Sequence, residues 1–239
     1  MVDFARVFNA LGRAGKDLGR GDILWQATWP PLLAITLWSG AAYWVWQPAS
    51  AWIVASLPDW SWLDWLGGWL AHIALFLVFA PMVYGTTLLL LATFALPRMM
   101  LIVAARDYPQ LSRQGSNPFW GSVWNTLVVG VVFVLGWIAT LPLLLIPGAL
   151  LVLPLLWTAW LNQRTFRFDA LAEHAGDDER RRIVTRHVGE FRLTGLVTAA
   201  ALHVPLLNFI VPAWTALAFV HLCLGRLADL RREEGVCIS

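Results

Sequence analysis

Arg20 stands between Gly19 and Gly21, just ahead of an uncharged stretch that begins after Asp22. A guanidinium flanked by flexible backbone, with a helix start behind it, can hold a small anion through charge-assisted hydrogen bonds. The same residue can equally serve as a headgroup anchor that sets topology. A second chemically able group is Pro205-Leu206-Leu207-Asn208, closed by Pro212, in the middle of the last apolar stretch. The two prolines remove backbone donors, so Asn208 either meets a ligand in a pathway or satisfies carbonyls left unpaired there. His203 and His221 flank this break and His72 lies in an earlier apolar stretch. Ionisable groups at membrane depth are functional candidates. No carboxylate occurs inside these stretches, however, so a proton relay has no evident partner and the imidazoles read first as structural or interfacial.

No other pattern carries chemistry. There is no nucleophile–base set, phosphate-cradling glycine loop or dinucleotide fingerprint. Cys223 and Cys237 have neither metal-ligand spacing nor the density of a disulfide framework. The expectation is a protein that is not an enzyme and needs no cofactor and no metal.

The elements that would position these residues follow from charge. Of 239 residues, 59% are hydrophobic and 13% charged, against about 25% charged in soluble domains. No charge occurs between Asp22 and Asp59, from Trp65 to Pro97, from Gln114 to Gln163, or from Leu193 to Gly225. Each gap meets the roughly 20 apolar residues that cross a hydrocarbon core, and period-2 alternation is absent, so the segments are helices in a bilayer. The 17 Lys and Arg flank these segments, a topology signal rather than a nucleic-acid footprint.

Residues 3–20 carry Phe4, Val7, Phe8, Leu11 and Leu18 at helical spacing, which predicts an amphipathic helix lying in the headgroup plane. A spanning helix is predicted over 23–46, then a tryptophan-rich loop without Lys or Arg, placed on the non-cytoplasmic side. A second spanning helix covers 67–96. The stretch 119–163 is a helical hairpin bent at Leu141-Pro142 and Ile146-Pro147-Gly148, and 164–192 is a charged cytoplasmic segment. In 193–224 the proline break leaves two halves too short to cross, which predicts a re-entrant hairpin. The whole chain, 1–239, then forms a single all-α membrane domain in a bacterial inner membrane, with both termini cytoplasmic.

This order of features resembles the CysZ-type bacterial inner-membrane sulfate permeases, related to the etoposide-induced transmembrane proteins. The residues that carry the resemblance are Pro30-Pro31-Leu32-Leu33, Leu57-Pro58-Asp59-Trp60, Trp157-Thr158-Ala159-Trp160 with Phe166-Arg167-Phe168-Asp169, and Val204-Pro205-Leu206-Leu207-Asn208-Phe209-Ile210-Val211-Pro212-Ala213. The resemblance implies two long spanning helices with two partly penetrating hairpins, homo-oligomers in the lipid bilayer, and uptake of sulfate or another small anion. One departure stands out. The family's Gly-x-Arg-Arg pair falls here on Trp25 and Gln26, which supply no charge, so Gly19, Arg20 and Gly21 are the shifted candidates, with Pro205, Asn208 and Pro212 along the pathway. A non-transporting membrane scaffold of the same fold is the alternative.

Overall fold

The computed structural model describes residues 2–58, 64–112, 114–115, 118–204, 207–208 and 210–235. It is an all-α membrane protein, with no strand among the described residues. Its helices fall into two compact units, Leu24–Pro97 and Met1–Ile23 with Arg98–Ser239.

The first of these is built from α2 (Gly21–Ala55) and α3 (Asp64–Leu90). Trp38 donates through Nε1 to Thr86 Oγ1 at 2.9 Å, Trp46 lies 5.8 Å from the His72 ring, and Leu57 and Val54 face Gly67. Positions that rise on one helix and fall on the other make the pair antiparallel. The helix predicted to stop at Trp46 continues through Pro48 to Ala55. A single proline costs one backbone hydrogen bond and kinks a helix rather than ending it when no water competes for the freed carbonyl. Likewise the helical run that α3 begins does not stop before Pro97. One π-helical turn, Leu91–Ala95, leads into α4 (Leu96–Asp107), with the Leu96 N–H bonded to the Leu91 carbonyl. The wider turn accommodates a proline that has no N–H of its own to give.

Three helical runs among the described residues are long and apolar enough to cross a membrane: Leu66–Asp107, Trp120–Leu145 and Val211–Glu233. The 35-residue α2 has the length, but its tryptophans and prolines dilute its hydropathy below theirs. Large apolar side chains such as Leu32, Trp44, Phe76 and Leu127 stand exposed, a surface suited to lipid tails and not to water.

The second unit holds α1 (Phe4–Leu18), α4, α5 (Pro118–Thr140), α6 (Ala149–Ala172), α7 (Asp177–Arg186), α8 (Val188–Leu202) and α9 (Val211–Glu233). A short 3₁₀ turn, Leu141–Leu145, and Gly148 at φ 86° connect α5 to α6. Only glycine adopts that left-handed conformation without strain. The centre of the unit is α9, with Ala216, Leu217, Phe219, Leu222, Cys223 and Leu227 buried. Phe219 stacks between Phe166 and Phe191 at 6.2 and 6.4 Å, tying α6, α8 and α9 together. Against α9 lies α1, whose stripe divides: Val7, Ala10, Leu11 and Ala14 are buried while Phe4 and Phe8 stay exposed. Trp214 fastens the contact by donating to the Leu11 carbonyl at 3.0 Å.

Candidate functional site

At Gly19 α1 ends: its N–H bonds back to the Lys16 carbonyl and the Arg20 N–H to that of Asp17, and Gly21 opens α2. Nε and Nη2 of Arg20 both donate to the Asp22 carboxylate at 3.3 Å, and Asp22 Oδ1 also accepts from the Ile23 N–H at 3.0 Å. The guanidinium fork and the helix start, the two features that make an anion site, are thus held by the chain's own carboxylate. Asn208 is half-buried, and its enclosed Oδ1 has no hydrogen-bond partner among the described residues. Pro212 is the second residue of α9, where a missing N–H costs nothing. Pro205 lies outside the described residues. No hydrogen bond or ion pair among the described residues joins the Gly19–Gly21 turn to the Asn208–Pro212 group.

His203 caps α8 and bonds Ala199, and the exposed His72 bonds Gly68, each through Nδ1 to a backbone carbonyl. His221 is different. It is buried on α9, and its Nε2 lies 2.8 Å from Asp17 Oδ2 of α1. The partner that the apolar stretches lack comes from the N-terminal helix. Asp17 continues the buried stripe of Val7, Ala10 and Ala14 at helical spacing, and that register is the signal that could have found it. Arg106 donates to Asp17 at 2.6 Å and to both oxygens of Asp107 at 2.6 and 3.0 Å, while Tyr108 donates to the His221 carbonyl at 3.0 Å. Asp17, Asp107 and His221 bring three ligand atoms within 4.8 Å of one another. They nevertheless fit a metal poorly. The two ring nitrogens face different carboxylates, Nδ1 being 3.9 Å from Asp107, and Arg106 already fills the cationic position between them. The cluster is a polar clasp of α1, α4 and α9, with Arg106 bridging its two carboxylates.

A cavity of about 410 Å³ is lined by Arg6, Arg182, Arg186, Arg226 and Arg232. These forks too are engaged: Arg6 with Asp229 at 2.6 Å, Arg182 with Glu234 at 2.5 Å, Arg186 with Glu233 at 2.7 Å, and Arg226 with Glu190. The cavity of about 520 Å³ beside it is lined in part by the His221 clasp.

The buried side of α6 carries three polar residues, Asn162, Gln163 and Arg167 at i, i+1 and i+5, among Ala159, Ala170 and Leu171. It packs on α8, where Asn162 donates to Thr198 Oγ1 at 3.4 Å and the Gly195 backbone meets Ala159. Arg167 is 9% exposed, and among the described residues its guanidinium makes one hydrogen bond, from Nη1 to Gln163 Oε1 at 2.8 Å. Burial, and then the nearby Arg164 and Arg192, pull its guanidinium down to about 10, so it stays charged at neutral pH. Sequence reasoning noticed Arg167 only as part of a motif, because nothing local shows that no acid will face it.

Asp169, on the same helix, has the reverse imbalance. Burial pushes its carboxyl up to about 6, with Ser122 only partly offsetting this. Between roughly pH 4 and 6 the folded chain holds a proton that the unfolded chain has released. Stability therefore falls as pH rises through that window, by about 3 kcal/mol in all. Asp169→Asn is expected to raise the apparent Tm in detergent at pH 7.5 and to leave it unchanged near pH 4. Equal shifts at both pH values would show that the carboxyl is not buried as described.

Compared with known proteins, residues 10–212 match the protein-family model described as Sulfate transporter CysZ/Etoposide-induced protein 2.4. No curated protein and no solved structure matches the chain.

Proposed function

The chain belongs to the sulfate transporter CysZ/etoposide-induced protein 2.4 family, and from that premise we propose that it is a membrane permease for a small anion of the sulfate class. The observation that carries the reading is the extent of the match: it runs from within α1 to the start of α9 and takes in every helix between them. Under this reading the protein resides in a bacterial inner membrane with both termini cytoplasmic. The arginines of 180–182 and 231–232, which flank apolar stretches, support that orientation. Homo-oligomers in the bilayer suit an α5 whose apolar window is only 6% buried.

The Gly19–Arg20–Gly21 turn and the break marked by Pro205, Asn208 and Pro212 are the pathway candidates. Asp22 sets a condition on the first of them: an anion gains the Arg20 fork only by displacing that carboxylate. The same pairing, with the absent arginine pair at Trp25 and Gln26, favours the second reading, a scaffold that keeps the fold and moves no ion.

Radiolabelled sulfate uptake into proteoliposomes, with selenate and chloride as competitors, separates the two. Saturable uptake blocked by selenate and not by chloride is expected. If Arg20 takes part, Asp22→Asn increases uptake at limiting sulfate and Arg20→Ala lowers it. Uptake no higher than in empty liposomes, from protein shown to be folded and inserted, would leave the scaffold reading standing.

A further inference from the structure

We propose that Arg167, with Arg164 one turn away on α6 and Arg192 on α8, forms a binding site for a small tetrahedral oxyanion. The choice of sulfate as the expected occupant rests on the permease reading; the site itself rests on an imbalance of charge.

Buried arginines in this unit otherwise come with carboxylates. Arg226 has Glu190, Arg231 has Glu179, and the partly buried Arg106 has Asp17 and Asp107. Arg167 is nine-tenths buried, and among the described residues it pairs with no carboxylate. A buried charge without a counter-charge is strongly unfavourable, so an arrangement that keeps one has a use for an anion. A guanidinium presents five N–H donors in a planar fork, and Gln163 takes one of them.

The neighbours deepen the deficit. Arg164 lies i−3 from Arg167, on the same side of the helix. Among the described residues its Nε is enclosed without an acceptor, and its guanidinium lies over the Trp160 ring at 5.8 Å. Arg192 is exposed and has no ion pair among the described residues. The charge of both reaches Arg167.

Several guanidiniums in one neighbourhood suit an oxyanion that accepts several charge-assisted hydrogen bonds, and they suit a halide less well. A lipid phosphate offers the same oxygens as free sulfate, and the experiment tells these sources apart.

The test is thermal unfolding of the purified full chain in detergent, titrated with sodium sulfate against sodium chloride at equal ionic strength. A parallel titration uses phosphatidylglycerol, and sulfate uptake is assayed on the same variants. Sulfate is expected to raise the Tm of the wild type and of Arg186→Gln, which removes one surface charge outside the site. Arg192→Gln should weaken apparent sulfate affinity roughly tenfold or more, the usual cost of a lost charged hydrogen bond. Arg192→Glu, which supplies an internal carboxylate as Asp22 does for Arg20, should abolish the response. Arg167→Lys keeps the buried charge and loses the fork, so it should fold and bind weakly.

A sulfate response unchanged in both Arg167→Lys and Arg192→Glu overturns the site, as does no sulfate-specific response in the wild type. A response to phosphatidylglycerol alone overturns free sulfate as the occupant and assigns a headgroup. Uptake that persists at full rate in Arg192→Glu leaves the permease reading intact and removes this site from it. Binding that depends on Arg167 and Arg192 without any uptake keeps the site and defeats the permease reading.

Discussion

Gly195→Ala is expected to destabilise the protein by about 2 kcal/mol or more, even though alanine is the better helix former. A Cβ at this position would sit 2.6 Å from the Ala159 carbonyl oxygen and 3.1 Å from the Gln163 Cβ. The first neighbour is backbone and cannot rotate away, so α8 must move off α6. Overpacking of this kind costs typically 1–3 kcal/mol, occasionally more. The gain in helix propensity, about 1 kcal/mol, does not offset a backbone shift that disturbs a whole helix contact. The displacement also reaches Asn162, whose bond to Thr198 is already 3.4 Å, and the buried fork of Arg167 four residues beyond Gln163. Gly130→Ala on α5 is the matched control, since nothing lies within 4 Å of the added carbon. Apparent Tm in detergent should fall for Gly195→Ala and hold or rise for Gly130→Ala. Two variants of equal stability would show that α6 and α8 are not in backbone contact.

Much of this architecture is legible because a bilayer leaves so few choices. Gaps of 30 or more uncharged residues force helices, and Pro142, Pro147 and Gly148 mark where α5 gives way to α6. Two kinds of feature are not legible. Proline punctuates helices in water, and that rule misplaces the ends of α2 and α3, where Pro48 and Pro97 are carried inside continuing helical runs. The other kind is long-range pairing. Asp17 and His221 are 204 positions apart, and no local pattern relates them. Only the stripe on α1 hints that Asp17 faces protein. Arg20 and Arg167 make the same point in opposite directions. By type and spacing Arg20 is the better anion candidate, yet its neighbour Asp22 fills the fork; Arg167 looks like a topology charge, yet it is enclosed without an acid among the described residues. Which arginine is free is decided by what packs across from it, and that is tertiary information.

Glu190→Gln is expected to cost about 3–5 kcal/mol, the usual range for stripping one partner from a buried ion pair. Glu190 is 2% exposed, accepts from Nε of Arg226 at 2.9 Å and from its Nη2, and lies 3.3 Å from His187 Nδ1. Glutamine keeps the volume and one acceptor but removes the charge. Arg226 would then lean on Asp3 at 3.6 Å and Asp229 at 4.0 Å, both looser and more exposed, which places the loss toward the lower end. Arg226→Met alone leaves the carboxylate buried and should cost a similar amount. Glu190→Gln with Arg226→Met should cost clearly less than the two single losses added together, because the pair's attraction only offsets its own desolvation. Strict additivity in detergent unfolding would mean that the two residues do not interact. The cycle also bears on Arg167. If deleting Glu190 makes Arg226 intolerable, an arginine equally buried and lacking a carboxylate among the described residues cannot be a passive feature of α6. Sulfate should then lessen the destabilisation that α6 carries and leave the Glu190→Gln loss unchanged.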